Sequence, residues 1–193
     1  MSFFDSAYEG TPPWDIGKPQ PEIVRLSEAG EIQGSVLDVG CGTGENSLFL
    51  ARLGHEVWGI DSSTLAIRKA KAKSKDRGLK VNFLNHNALQ LQTLKHKFDS
   101  AIDTGLFHVF DDDERTLLAK SLAAALKPGG IYHMMCFSEK EPGGWGGPRR
   151  VTQREIRETF SSGWSVNYIR EARFETNWHE IGGRAWLSSI THI

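Results

Sequence analysis

The amino-acid sequence predicts an α/β fold: a doubly wound, largely parallel sheet with helices on both faces. Three observations predict it. Short apolar runs alternate with helical stretches from residue 35 to residue 160, the first run ends in closely spaced glycines, and glycines or prolines follow the helical stretches where caps and stops belong.

Residues 35–39 (Ser-Val-Leu-Asp-Val) read as a buried first strand, because the run is short, apolar and bounded by glycine. Residues 46–53 carry Leu48, Phe49, Ala51 and Leu53 without a breaker, and Gly54 stands at the left-handed C-terminal cap. Residues 56–60 form a second strand, and residues 62–77 a second helix with Ser62 or Ser63 as N-cap and Gly78 beyond its end. A third strand covers 81–84 and a fourth 98–103. Asp111 to Glu114 place negative charge in the first turn of a helix running to Leu126, which Pro128-Gly129-Gly130 stops. A fifth strand covers 131–137. Residues 152–160 make a short helix opened by a Thr152/Glu155 capping box, and 164–174 and 184–190 read as closing strands. With no internal repeat and no linker, residues 1–193 read as one domain, and the Pro/Gly-rich stretches 11–21 and 141–148 as loops crossing one face.

Composition narrows the function. The 193 residues are 39% hydrophobic and 24% charged, enough for a sizeable core without disulfides or metal. A net charge of -1 supplies no field to gather nucleic acid or acidic membrane. The basic stretch 68–80 has seven Lys/Arg against Asp76, but its spacing spreads charge around a helix, which reads as a solvated face. No apolar run reaches the roughly 20 residues of a membrane span, and residues 1–10 lack the pattern of a secretory signal. Cys41 and Cys136 lie far apart, without metal-ligand spacing. The expectation is a cytoplasmic protein with reduced cysteines, no metal, no nucleic acid and no membrane partner, acting as a monomer or homodimer.

The chemistry starts at Asp38-Val39-Gly40-Cys41-Gly42-Thr43-Gly44, where a strand turns sharply into a helix. A dinucleotide fingerprint would put its third glycine at position 45, which is Glu45, so the register is G-x-G-x-G instead. Asp38 and Glu45 would repel a pyrophosphate and tolerate an ammonium. Asp61, at the end of the second strand, is placed to accept from both hydroxyls of a ribose, or to cap the helix that follows it. The ligand so described is a nucleoside without phosphates.

At these residues the chain resembles the class I S-adenosylmethionine-dependent methyltransferases. Residues 38–44 match the family's first motif, Asp61 its ribose acid, Asn87-Ala88 the residues beside the adenine, 98–104 its fourth strand, and Leu126-Lys127-Pro128-Gly129-Gly130 the turn into its fifth. The resemblance implies a Rossmann-like seven-stranded sheet, mostly parallel with an antiparallel C-terminal strand, and S-adenosyl-L-methionine as cofactor, released as S-adenosyl-L-homocysteine. It implies a cofactor site at Trp14, Asp38, Gly40, Gly42, Asp61, Ser62, Asn87, Ala88, Thr104 and Leu106. Asn87 stands where the family has Asp and would accept from the adenine amino group through its side-chain oxygen.

A finer resemblance concerns the acceptor. Residues 12–21 look like the lid of the thiopurine, tellurite-resistance and halide/thiol methyltransferases, in which Trp14 would close over the cofactor; otherwise Trp14 is an aromatic packed on the core. Residues 105–110 and 147–152 are similar to small bacterial enzymes that methylate phenolic or heteroaromatic compounds. The acceptor implied is a small molecule, a thiol or a phenolic or heteroaromatic compound, bounded by Trp14, Phe107, His108, Trp145 and Arg149, with residues 139–151 as a flexible active-site loop and 1–21 as the lid segment. His108 reads either as a general base or as a packed histidine. Arg149 reads either as an anion clamp or as a solvent-facing charge. Asp103-Thr104-Gly105-Leu106 departs from the Asn/Asp-Pro-Pro-aromatic sequence of enzymes that methylate nucleic-acid amino groups. A non-catalytic cofactor-binding module and a nucleotide oxidoreductase are the alternatives from other classes.

Overall fold

The computed structural model describes residues 3–143, 147–177 and 182–193. Its chain order is α1 (Phe3–Ala7), α2 (Pro21–Glu28), β1 (Val36–Val39), α3 (Glu45–Arg52), β2 (Val57–Asp61), α4 (Thr64–Asp76) and β3 (Asn82–Asn85), followed by a 3-10 segment (Ala88–Leu94). Then come β4 (Phe98–Thr104), a single 3-10 turn (Phe107–Val109), α5 (Asp112–Ala125), β5 (Leu126–Phe137), α6 (Gln153–Thr159), β6 (Trp164–Phe174) and β7 (Gly183–His192). No helix among the described residues is long and apolar enough to cross a membrane.

The strands form a seven-stranded sheet in the order β3-β2-β1-β4-β5-β7-β6. β1 pairs in parallel with β2 on one side and β4 on the other, so the winding reverses at its carboxyl end. All four residues of β1 are buried, as expected for a central strand covered on both faces. β7 runs antiparallel to both of its neighbours, β5 and β6.

Period-two alternation divides the core. Leu37, Val39 and Ala101 face α5, α6 and the 3-10 segment at Leu91; Val36, Ile102 and Met135 face α2 and α3. The expected caps are present: Ser63 accepts from the Ala66 N–H at the start of α4, and Thr152 and Glu155 form the capping box of α6. Asp111 and Glu114 form a second such box on α5. Two α-helices, like the two 3-10 segments, have no counterpart in the sequence reading. α1 and α2 are short helices flanking the Pro-rich strap at residues 11–20, and each owes its existence to packing rather than to length.

Candidate active site

The carboxyl ends of β1, β2 and β4 bring the predicted nucleoside-binding residues together. Gly40, Gly42 and Gly44 all lie at positive φ (73°, 54° and 84°), which lets the backbone turn from β1 into α3. Asp61 holds that turn: its carboxylate accepts from the Gly42 N–H at 2.9 Å and from the Ser63 N–H at 2.8 Å, so the acid is both loop anchor and part of the next helix's cap. Burial raises its pKa despite those bonds. Leu106 packs over Gly40, where an added Cβ would lie 3.0 Å from the leucine Cβ. Thr104 closes the far wall, accepting from the Asn46 amide at 3.0 Å.

Asp38 is fully buried beneath this turn. One carboxylate oxygen accepts from Ser47 Oγ at 2.6 Å; the other has no partner among the described residues. Burial pushes its pKa up to about 7, and the neighbouring Asp103 and Asp61 add to the shift. An orphaned buried oxygen of this kind calls for a proton or a cation. Glu45 has lost its expected part: although burial opposes it, Arg77 and Lys73 hold its carboxyl below the usual range, with contacts of 2.7 to 2.8 Å. The negative field at the loop therefore comes from Asp38 and Asp61.

The N-terminal strap covers the glycine turn. Trp14 donates its indole N–H to Tyr8 Oη at 2.9 Å and meets Phe4 and Tyr8 edge-on. Tyr8 Oη lies where a Cβ on Gly42 would be only 2.6 Å away. Asp15 accepts from Thr43 Oγ1 at 2.8 Å, and Lys73 reaches Thr43 at 2.6 Å. On its other side the strap joins the chain after β6: Gln20 and Glu175 exchange bonds of 3.0 Å, and Asn177 donates to the Pro13 and Asp15 carbonyls. Sequence reasoning found Trp14 but missed Tyr8, Asp15, Thr43 and Asn46. The spacing of Phe4 and Tyr8, one helical turn apart ahead of Trp14, is the signal that could have found Tyr8.

Other predicted residues stand apart from the cleft. Asn87 spends its side-chain oxygen on the Leu89 N–H at 2.9 Å, capping the 3-10 segment, which weakens its reading as an acceptor for adenine. Ala88 is buried behind it and Ser62 is exposed beside Asp61. Phe107 does not line the site. Its ring is wholly buried, stacked on Phe160 and under the Arg115 guanidinium, because the 3-10 turn rotates it into the core. Arg149 is no free clamp either: Asp112 and Glu155 both bind it, tying the loop to the starts of α5 and α6. Trp145 lies outside the described residues. Of the loop 139–151, the described ends are held by hydrogen bonds between Glu139 and Val151 and between Val151 and Phe137.

Beyond Thr104 the chain turns through Gly105 at φ 111°, and the buried Asp103 fixes that turn. Its carboxylate accepts the N–H groups of Gly105, Leu106 and Phe107 at 2.7 to 3.0 Å and the Tyr132 hydroxyl at 2.7 Å. His108 follows, 6% exposed, with its ring stacked on Phe137 (5.0 Å, 20°) and edge-on to Phe174 (5.9 Å, 72°). Its Nδ1 accepts from the Phe137 N–H at 3.1 Å. Burial, with Arg115 nearby, lowers its pKa to about 3. This is the setting of the packed histidine rather than of a base that charges near neutrality. Phe174 also borders a cavity of about 580 Å³ between α2 and the ends of β5, β6 and β7.

Comparison with known proteins identifies the family. A family model described as a methyltransferase domain matches residues 36–130. A 2-heptyl-1-hydroxyquinolin-4(1H)-one methyltransferase of Mycobacteroides abscessus is 36% identical over 187 residues, covering 92% of this chain and 82% of that protein. A probable thiol methyltransferase 2 of Arabidopsis thaliana is 33% identical over 154 residues, 78% of this chain and 67% of its own. A solved structure described under conversion of a disulfide bond into a thioacetal group during echinomycin biosynthesis superposes with a TM-score of 0.90. It is 35% identical and covers 98% of this chain and 90% of its own.

Proposed function

The chain belongs to the S-adenosylmethionine-dependent methyltransferases, and from that premise we propose that it methylates a sulfur or oxygen borne by a small, planar aromatic or heteroaromatic compound. The observation that carries the acceptor class is the ring cluster of His108, Phe137 and Phe174, of which His108 and Phe174 stand against the bare Cα of Gly105 beside Thr104. A flat ring is the ligand such walls favour. The activity for which the Mycobacteroides relative is named, on a hydroxyquinolone, supports the same class.

The cofactor supplies an activated methyl on a sulfonium. We assign its binding to Asp61 for the ribose hydroxyls, the turn at Gly40 and Gly42 for close backbone approach, Trp14 and Tyr8 for cover, and the orphaned Asp38 oxygen for the ammonium. Thr104 and Leu106, beside Asn46 and Gly40, would bound the methyl side. These residues orient the donor and exclude water, so acceleration comes chiefly from holding the reacting atoms in line in a dry site. The cavity bordered by Phe174 belongs, in this reading, to the acceptor side.

The test is release of S-adenosylhomocysteine with a panel of hydroxyquinolones, aromatic thiols, phenols and iodide. Turnover of the ring-borne acceptors well above iodide is expected. Turnover of iodide alone would replace the acceptor class, and binding of the cofactor without any turnover would leave a binding module.

Asp38 gives a separate expectation. In the free protein its carboxyl is half protonated near pH 7, and an ammonium placed beside it favours the charged form. Cofactor binding at pH 7 should therefore release protons and tighten as pH rises from about 6 to 8. Calorimetry in buffers of different ionisation enthalpy reads the release directly. Asp38→Asn should abolish it; an unchanged release in that variant would move the ammonium elsewhere.

A further inference from the structure

We propose that His108 acts as a fixed hydrogen-bond donor to the acceptor, never as a base, and that the acceptor is a compound whose reacting oxygen or sulfur is already ionised when it binds. This rests on the acceptor class proposed above. The geometry is restrictive. A backbone N–H only donates, so the 3.1 Å contact from Phe137 obliges His108 Nδ1 to accept and places the single proton of the neutral ring on Nε2. Taking a proton from an acceptor at Nε2 would need a lone pair that this tautomer lacks. Protonating Nδ1 instead would set two N–H groups against each other.

The ring cannot swivel out of that assignment, since it is 6% exposed and packed against Phe137 and Phe174. Nε2 has no hydrogen-bond partner among the described residues. It faces Gly105, where an added Cβ would stand 3.4 Å from Cε1 and 3.5 Å from Nε2, so the missing side chain leaves the N–H approachable. The charged and titratable groups around it add no base. β5 and β6 present Phe137 and Phe174; α5 presents Arg115, whose charge disfavours a second cation. β4 presents Asp103, whose oxygens are committed to three backbone N–H groups and Tyr132.

A donor without a base suits one kind of substrate. The anionic oxygen or sulfur, held by Nε2–H, gives a lone pair to the methyl carbon as the carbon–sulfonium bond breaks and its electrons return to sulfur. An anion and a cation become two neutral products, and no proton moves. Acidic N-hydroxy heterocycles, aryl thiols and electron-poor phenols qualify; aliphatic alcohols and electron-rich phenols do not.

4-Nitrophenol, whose ionisation is visible by absorbance, tests this when titrated on the protein with S-adenosylhomocysteine present. Bound to the native chain its pKa should fall roughly one to two units below its value in solution, the equivalent of a ten- to hundredfold preference for the anion. In His108→Phe it should return to the solution value, while His108→Gln, which can still accept and donate, should retain part of the shift. A packing role alone would not move the probe's ionisation. In turnover with S-adenosylmethionine saturating at every pH, so that the Asp38 ionisation is not read, the pH dependence of kcat/KM for the acceptor should track each acceptor's own ionisation. An acidic limb at one pH shared by all acceptors would overturn this proposal and leave the acceptor class standing. Failure of every aromatic acceptor to bind or react would overturn both.

Discussion

Asp61→Ala is expected to weaken S-adenosylhomocysteine binding ten- to a hundredfold, the equivalent of about 1.5–3 kcal/mol for hydrogen bonds to a charged group. Two effects point the same way. The variant loses the acceptor proposed for the ribose, and it releases the Gly42 N–H that keeps the glycine turn in its left-handed shape. Asp61→Asn separates them, because its amide oxygen can still take one backbone N–H; its loss should fall between native and alanine. Calorimetric affinities within twofold of each other would remove Asp61 from the site and leave it as a loop anchor.

The second large effect concerns stability. Arg115 is the largest fully buried side chain among the described residues, held by the Phe107 carbonyl at 3.3 Å, by Glu155 at 3.3 Å, and by the Phe107 ring 4.7 Å beneath its guanidinium. Arg115→Ala opens a cavity at the junction of α5 and α6 and leaves the Phe107 carbonyl short of a partner, so a loss of about 3–5 kcal/mol is expected. Urea unfolding with an unchanged slope would read it. Arg115→Met, which keeps most of the volume, should recover a good part; a loss under about 1 kcal/mol for alanine would show the cluster to be dispensable.

How far these features were legible in the sequence follows from their physical range. β1, the glycine turn and Asp61 were legible because apolar runs, glycines and strand ends are local signals. The capping box at Thr152 was legible for the same reason. Phe107 and Arg149 were not, since one 3-10 turn decides whether a ring faces ligand or core, and a guanidinium's partners on α5 and α6 are 37 and 6 residues away. The tautomer of His108 depends on Phe137, 29 residues on, and no spacing rule announces that bond. Asn87 shows the reverse case: its local N-cap chemistry was readable, but the resemblance directed attention to adenine.

The position of β7 bears on how the protein is made. The strand latest in the chain sits between two earlier ones, so β5 and β6 cannot enter one sheet until residues 183–192 have left the ribosome. A nascent chain that has emerged only through Phe174 carries β5 with one edge unpaired and β6 without a neighbour, each offering a row of backbone groups to a second chain. Completion is a late event, and the interval before it is when the unpaired strand edges are most open to association with another chain.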